Sequence, residues 1–211
     1  MLALLHTSPV HVPVFDGLRD AEHPGLVLRH LVSEELLARA REGGPEAVAQ
    51  DVVRLLRGAV AEGARAVLCT CSTIGGVTEA AAGPLGVPVL RVDRPMAARA
   101  AQARRVTVLA AVESTLGPTV ELIREEAAGA AGPRIDARLV DGAWRRFEAG
   151  DREGYLAAVV AAVDAVPEDE ADVIVLAQAS MADAATRVTT RLPVLASPRS
   201  GLAAAAEAAR R

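Results

Sequence analysis

The sequence predicts an α/β protein of two pseudo-symmetric halves, each a doubly wound parallel sheet, with a central cleft. Two observations lead to this fold class. Short apolar runs rich in β-branched residues alternate with Ala-, Glu- and Arg-rich segments of helical period, which is typical of βα units. The order of these units also occurs twice along the chain. With 211 residues, 51% of them hydrophobic, the chain can bury a sizeable core.

Eight segments have the length and composition of buried strands. In chain order they are LALLHT from Leu2, LVLRHLV from Leu26, AVLCTC from Ala66, VPVLRVD from Val87, VTVLAAV from Val106, RIDARLV from Arg134, DVIVLAQ from Asp172 and PVLAS from Pro193. The segments between them predict helices. The longest runs from Trp144 to Val166, where apolar residues recur every three or four positions.

The internal duplication identifies equivalent positions in the two halves. The third strand of the first half ends in CST at 71–73, and its counterpart ends in QAS at 178–180. We therefore expect one half over 1–100 and the other over 101–211, with the C-terminal helix a candidate to complete the first. Because doubly wound sheets bind ligands outside the carboxyl ends of their strands, residues just after the strands should face the cleft.

Composition argues against several classes of function. Lys and Arg total 23 against 27 Asp and Glu, and only 2% of residues are aromatic, so a nucleic-acid partner is not expected. No apolar stretch reaches the roughly 18 residues of a membrane span, and the first residues lack the positive charge of a signal peptide, so we expect a cytoplasmic protein. Gly75-Gly76 lacks the spacing of a nucleotide loop.

The two cysteines are the first candidates for chemistry. Cys69 and Cys71 are too close for a structural disulfide, and no further Cys or His clusters near them, so neither a disulfide nor a metal is expected. Cys71 follows a strand and precedes a helix, where the helix dipole would favour the thiolate. It could equally be a small buried hydrophobe, which we expect for Cys69. His6 could pair with Cys71 for acyl transfer or serve a structural role.

Hydroxyl groups also follow the first strand of each half. Ser8 comes after the first strand, and we match it with Ser114 after the fifth. Hydroxyls and backbone amides at strand ends can bind a small carboxylate, although Ser and Thr are also ordinary helix N-caps. Asp93 and Arg94 could bring charge to the cleft, or form a solvated ion pair.

These residues resemble the aspartate/glutamate/hydantoin racemase superfamily, which also contains arylmalonate decarboxylase and maleate isomerase. The resemblance spans the chain and is carried by CST at 71–73, the Ser8 turn and ESTLGPT at 113–119. Two-base racemases of the family use one cysteine from each half, and Cys71 matches the first. Gln178 stands where the second is expected, or Ala179 if the halves are aligned one residue later.

The resemblance implies cofactor-independent proton transfer, without pyridoxal phosphate or metal, at a carbon next to a carboxylate or carbonyl of a small acid. An amide cannot exchange a proton at neutral pH, so Gln178 implies a single-thiol reaction or another second acid, Glu113 or His6. Decarboxylation, cis–trans isomerisation, a Cys71–His6 acyl transfer and a non-catalytic metabolite-binding protein remain alternatives. The resemblance makes a homodimer an expectation. The implied catalytic residues are Cys71 and Gln178, and the implied substrate-binding residues are Ser8, Ser72, Thr73, Glu113, Ser114, Thr115, Ala179 and Ser180.

Overall fold

The computed structural model of the protein describes residues 1–127 and 132–211. Its strands are β1 Leu2–His6, β2 Leu28–Val32, β3 Ala66–Cys69, β4 Val89–Arg91, β5 Arg105–Ala110, β6 Arg134–Leu139, β7 Val173–Leu176 and β8 Val194–Ala196. Its α-helices are α1 Val12–Glu22, α2 Glu34–Gly43, α3 Ala49–Ala61, α4 Gly75–Glu79, α5 Ala82–Leu85, α6 Arg94–Ala100, α7 Glu113–Glu126, α8 Ala143–Glu148, α9 Arg152–Asp164 and α10 Pro198–Ala208. Short 3-10 helices cover Pro9–His11, Pro45–Val48 and Ala179–Thr186.

All eight predicted strands are present at their predicted positions, and the α/β fold class is confirmed. The chain forms two units. Unit 1 consists of Met1–Asp93 together with Pro198–Arg211, and unit 2 consists of Arg94–Ser197. The sequence predicted a boundary near residue 100, with the C-terminal helix as a candidate to complete the first half; in the structure the chain leaves unit 1 after Asp93 and returns to it after Ser197.

The long helix predicted from Trp144 to Val166 is wrong. The structure has two helices here, α8 and α9, because the turn between them carries its own stop and start signals. Gly150 has a φ of 73°, a left-handed conformation that ends a helix. Asp151 then caps α9 by accepting a hydrogen bond from the backbone N–H of Gly154 at 2.9 Å.

Each unit contains one four-stranded sheet whose strands are all parallel. The strand order is β2-β1-β3-β4 in unit 1 and β6-β5-β7-β8 in unit 2. The chain runs outward in one direction from β1 to β2 and in the other from β3 to β4, so the order reverses between β1 and β3. The loops after β1 and β3 therefore flank a topological switch point, as do the loops after β5 and β7.

Both faces of the unit 1 sheet are buried. Alternate residues of β1 point to opposite faces, so Ala3 and Leu5 pack with α2 and α3, while Leu2 and Leu4 pack with Phe15 of α1 and Leu202 of α10. Helix α10 is thus part of the unit 1 core. It lies so close to the sheet that a Cβ on Gly201 would meet the Val92 carbonyl oxygen and come within 2.6 Å of its Cγ2.

The unit 2 sheet is covered in the same way. Leu109 and Leu176 pack with residues of α9 on one face, and Val108 and Val175 pack with residues of α6 and α7 on the other. The strands of both units are therefore held rigidly by apolar packing, and this fixes the positions of the loops at their carboxyl ends.

Candidate active site

The carboxyl edge of the unit 1 sheet brings two loops side by side. The loop after β1 begins with Thr7 and Ser8, and the loop after β3 covers residues 70–74. The backbone N–H of Thr70 donates to the Leu5 carbonyl oxygen at 3.0 Å, which joins the ends of the two strands. Four predicted site residues lie on this edge. They are Ser8 and Cys71, which are half-buried, and Ser72 and Thr73, which are buried.

The two thiols have different surroundings. Cys69 is 1% exposed, and its Sγ–H donates to the Cys71 carbonyl oxygen at 3.5 Å. Burial, with a smaller contribution from negative charge on Cys71, raises the pKa of the Cys69 thiol to about 12. Cys69 is therefore a core residue, as predicted. Cys71 is half-buried and packs in part against the apolar core, so it is the more exposed of the two thiols.

Cys71 precedes a helix, as the sequence predicted. Helix α4 begins at Gly75 with Ile74 as its N-cap, and the N–H of Gly75 donates to the Ser72 carbonyl oxygen at 3.2 Å. Cys71 thus lies four residues before the first residue of α4, and an effect of the helix dipole on its thiol stays a prediction.

Of the two roles that the sequence left open for His6, the structure supports the structural one and not a dyad with Cys71. The Nδ1 of His6 lies 2.8 Å from Thr70 Oγ1, and its Nε2 lies 2.8 Å from Nδ1 of His30. Both ring nitrogens are thus occupied by other partners. Burial, with smaller contributions from neighbouring His30 and His11, lowers the pKa of His6 to about 3, so the imidazole is neutral at physiological pH.

A buried ion pair supports the Cys71 turn from β4. The Arg91 guanidinium donates from Nε and from one terminal nitrogen to the two carboxylate oxygens of Asp93, each at 2.9 Å. A Cβ on Gly75 would come within 2.7 Å of Arg91 Nε, so only glycine lets the turn lie against this pair. The expected solvated pair of Asp93 with Arg94 is wrong, because Asp93 is buried and bonded to Arg91, while Arg94 binds acidic residues at the end of α7.

Gln178 occupies the position in unit 2 that Cys71 occupies in unit 1. The N–H of Ala177 donates to the Leu109 carbonyl oxygen at 2.9 Å, which is the bond that Thr70 makes in unit 1. The side-chain Oε1 of Gln178 accepts hydrogen bonds from the backbone N–H of Ala111 at 2.6 Å and of Val112 at 3.2 Å. Its oxygen therefore joins the ends of β5 and β7.

The match of Ser8 with Ser114 is wrong. The N–H of Ser33 donates to the His6 carbonyl oxygen, and Val140 makes the same bond to Ala110, so His6 and Ala110 are equivalent. Counting two residues onward, Ser8 corresponds to Val112. The sequence match failed because the offset between the halves is 107 at the third strands (178 − 71) but 104 at the first strands (110 − 6), so the segment between these strands is three residues longer in unit 2.

The remaining predicted residues of unit 2 have separate surroundings. Glu113 is exposed in the first turn of α7, Ser114 is half-buried, and Thr115 is buried. Ala179 is buried and has no functional group. Ser180 is half-buried, and its Oγ lies 2.8 Å from the Tyr155 hydroxyl, a residue whose pKa burial raises to about 12.

The family model described as Asp/Glu/Hydantoin racemase matches residues 12–208. The chain belongs to this family. No curated protein matches the sequence. Among solved structures, aspartate racemase from Picrophilus torridus is 13% identical with a TM-score of 0.70, over 99% of this chain and 94% of that one.

Two further structures of racemase-like proteins have the same fold. Arylmalonate decarboxylase is 19% identical with a TM-score of 0.63, over 99% of this chain and 92% of its own. Allantoin racemase from Klebsiella pneumoniae is 17% identical with a TM-score of 0.66, over 98% of this chain and 86% of its own. Likeness at such identities establishes the fold of this Asp/Glu/hydantoin racemase family member and leaves its substrate open.

Two kinds of feature are lacking from the part of this racemase-family chain that the structure describes. Within residues 1–127 and 132–211, no three His, Cys, Asp or Glu side chains are grouped so that they could hold a metal ion. In the same ranges, no helix has the length and apolar character needed to cross a membrane.

Sequence reasoning missed several polar residues around the site of this family member. Thr70, His30 and Asp16 continue the hydrogen-bond chain from His6, and Tyr155 binds Ser180. The sequence offered one signal for this hydrogen-bond chain. His6 and His30 both lie in predicted strands that are otherwise rich in apolar residues, and a buried polar side chain needs a hydrogen-bond partner.

Proposed function

We propose that this family member catalyses proton transfer at a carbon next to a carboxylate or carbonyl of a small acid, without a cofactor and with Cys71 as its single thiol. The observation that carries the proposal is the difference between two equivalent positions. Unit 1 has a half-buried thiol at Cys71, whereas unit 2 has Gln178, whose oxygen already binds two backbone amides.

Gln178 is suited to hydrogen bonding and unsuited to proton exchange. A carboxamide neither gains nor loses a proton near neutral pH. Because Oε1 accepts from Ala111 and Val112, the group that Gln178 has left to offer is its NH₂, which only donates hydrogen bonds. This supports a reaction in which protons are exchanged on one face of the reacting carbon.

The proposed step has two forms. In one, the Cys71 thiolate takes the proton of a substrate C–H bond, the electron pair remains as an enolate, and the S–H so formed exchanges its proton with water and returns one to the same carbon. In the other, a C–carboxylate bond breaks, carbon dioxide leaves, the Cys71 S–H gives its proton to the enolate carbon, and the thiolate left behind takes a proton from water. Hydroxyl and amide groups of Ser8, Ser72 and Thr73 would bind the enolate oxygens and stabilise the developing charge.

A racemase would need a second acid for the opposite face. His6 is poorly suited to this role, because it is fully buried, has both ring nitrogens bonded and has a pKa lowered to about 3. Glu113 is exposed and ionisable, so it is the residue to vary when racemisation is tested.

The test is proton NMR in deuterium oxide with aspartate, glutamate, hydantoins, malonates and maleate. We expect deuterium to enter a substrate carbon with wild-type protein and with the Cys69→Ala control, and not with Cys71→Ala. A decarboxylation should give one enantiomer of the product, and Glu113→Gln should leave that unchanged. If Cys71→Ala turns over as fast as wild type, the proposal fails. If wild type binds a panel member without turnover, a metabolite-binding protein takes its place.

A further inference from the structure

A chain of four polar side chains crosses unit 1 next to the proposed site. It runs from Asp16 on α1 to His30 on β2, then to His6 on β1 and Thr70 after β3. The distances are 3.4 Å from Asp16 Oδ1 to His30 Nε2, 2.8 Å from His30 Nδ1 to His6 Nε2, and 2.8 Å from His6 Nδ1 to Thr70 Oγ1. Thr70 directly precedes Cys71.

The positions of the protons in this chain follow from its inner end. Thr70 has one hydroxyl proton and donates it to the Leu5 carbonyl oxygen at 3.1 Å, since a carbonyl can only accept. The Nδ1 of His6 must therefore carry the proton of the bond to Thr70. Because His6 is neutral, its Nε2 has a lone pair and accepts, so the Nδ1 of His30 must donate.

The outer end of the chain reaches water. The side chains of His30 and Asp16 are 16% and 39% exposed, and Arg19 also binds Asp16 at 3.2 Å. His30 needs both ring protons to bond with His6 and Asp16 at once. With a single proton it keeps only one of these bonds. The bond to His6 is shorter by the distances above, and it lies in the more buried part of the chain.

We propose that His30 is a positioning residue for Cys71, and that it acts by fixing the Nδ1–H form of His6, which in turn holds Thr70. The reason is that Thr70 joins the ends of β3 and β1 through its backbone N–H and its hydroxyl, both bound to Leu5. If His6 changed to the other neutral form, its Nδ1 would accept and would compete with the Leu5 carbonyl oxygen for the single Thr70 hydroxyl proton, so we expect Thr70, from which the Cys71 turn starts, to shift. The catalytic meaning of this positioning rests on the proposed function.

Simple ring packing is the competing explanation. The His6 ring stacks on His30 with centroids 5.1 Å apart and also contacts His11 and Phe15. Two variants separate the explanations. His30→Asn places an amide N–H where Nδ1–H stands and loses the ring, whereas His30→Leu fills space and loses the donor. Arg29→Gln is the matched control on the same strand, because Arg29 pairs with exposed Glu62.

The first measurement needs no substrate. Nitrogen NMR of histidine-labelled protein reports which ring nitrogen of His6 is protonated, and the rate of Cys71 alkylation by iodoacetamide against pH reports on the thiol. We expect His6 in the Nδ1–H form in wild type, Arg29→Gln and His30→Asn. In His30→Leu we expect the other form to appear and the alkylation rate to change by about threefold or more, since small displacements of a reactive group have large kinetic effects.

The proposal is overturned if His30→Leu keeps the His6 form and the alkylation profile of wild type, or if His30→Asn behaves like a packing loss and changes both. If His30→Leu does not fold, His30→Asn against wild type decides by the same criterion. Once a substrate is known, we expect kcat to fall roughly tenfold in His30→Leu with little change in KM. A protein without turnover would refute the proposed function and leave the NMR and alkylation results valid.

Discussion

Replacing Gln178 by Met tests whether this side chain is a structural acceptor. Methionine has a similar length and shape but no oxygen for the N–H groups of Ala111 and Val112. Ala111 is 7% exposed, so its stranded N–H should cost about 1–3 kcal/mol of unfolding free energy. Val112 is half-buried, and water can replace its lost bond at little cost.

For a chain of this length, that loss corresponds to a melting temperature lower by about 2–12 °C. Thermal and urea denaturation followed by circular dichroism at neutral pH measure it. Gln178→Glu is the matched control, because a carboxylate also accepts both N–H groups and its bonds are charge-assisted, so its stability should stay close to wild type.

A Met variant within about 0.5 kcal/mol of wild type would refute this reasoning, since a change of that size is typical of positions without a structural role. Gln178 would then have no demonstrable function in joining β5 to β7. Its presence at the position equivalent to Cys71 would then have to be explained by contact with a ligand.

Three further predictions concern the thiols, acid stability and the packing of α10. With a pKa of about 12, only about one Cys69 thiol in ten thousand is ionised at pH 8, so iodoacetamide should label Cys71 alone, and mass spectrometry of Cys71→Ser should find almost no label. The pKa of His6 is about 3 in the folded protein and about 6.5 in the unfolded chain, so the unfolded state binds more protons between these two pH values. The free energy of unfolding should therefore fall as the pH is lowered from 6.5 to 3, by up to ~1.4 kcal/mol per pH unit from this group. Urea titrations at several pH values measure this fall. Gly201→Ala should destabilise the protein by about 1–3 kcal/mol because its Cβ would clash with the chain after β4, whereas Gly58→Ala in α3, where the Cβ meets open space, should be neutral or stabilising in the same denaturation assay.

The fold could be predicted from the sequence because the central strands β1, β3, β5 and β7 are buried almost throughout and are therefore nearly continuous apolar runs, whereas the edge strands β2 and β6 are partly exposed and contain charged residues. The helix prediction failed between Trp144 and Val166, because apolar residues continue to recur at helical spacing across the turn between α8 and α9. Gly150 and Asp151 are ordinary stop and start signals, and they outweigh the period locally.

The candidate site could be predicted only where the duplication gave two copies to compare. Cys71 and Gln178 each lie two residues after the equivalent strands β3 and β7. The equivalent backbone hydrogen bonds at the ends of these strands confirm their match. Ser8 lies beyond the strand, where loop lengths differ, and its match failed. The contact of His6 with His30 depends on the pairing of β1 with β2, and no local pattern in the sequence specifies which strands become neighbours.

Because unit 1 is built from two separate stretches, its assembly during translation has a fixed order. A ribosome releases Pro198–Arg211 only after it has synthesised all of unit 2. Until then, Leu2 and Leu4 lack the cover that Leu202 gives them in the finished protein. The nascent chain thus exposes an apolar surface while unit 2 already has every residue of its own core. Unit 2 can therefore fold first, and the core of unit 1 is completed last, when Pro198–Arg211 packs against Leu2 and Leu4.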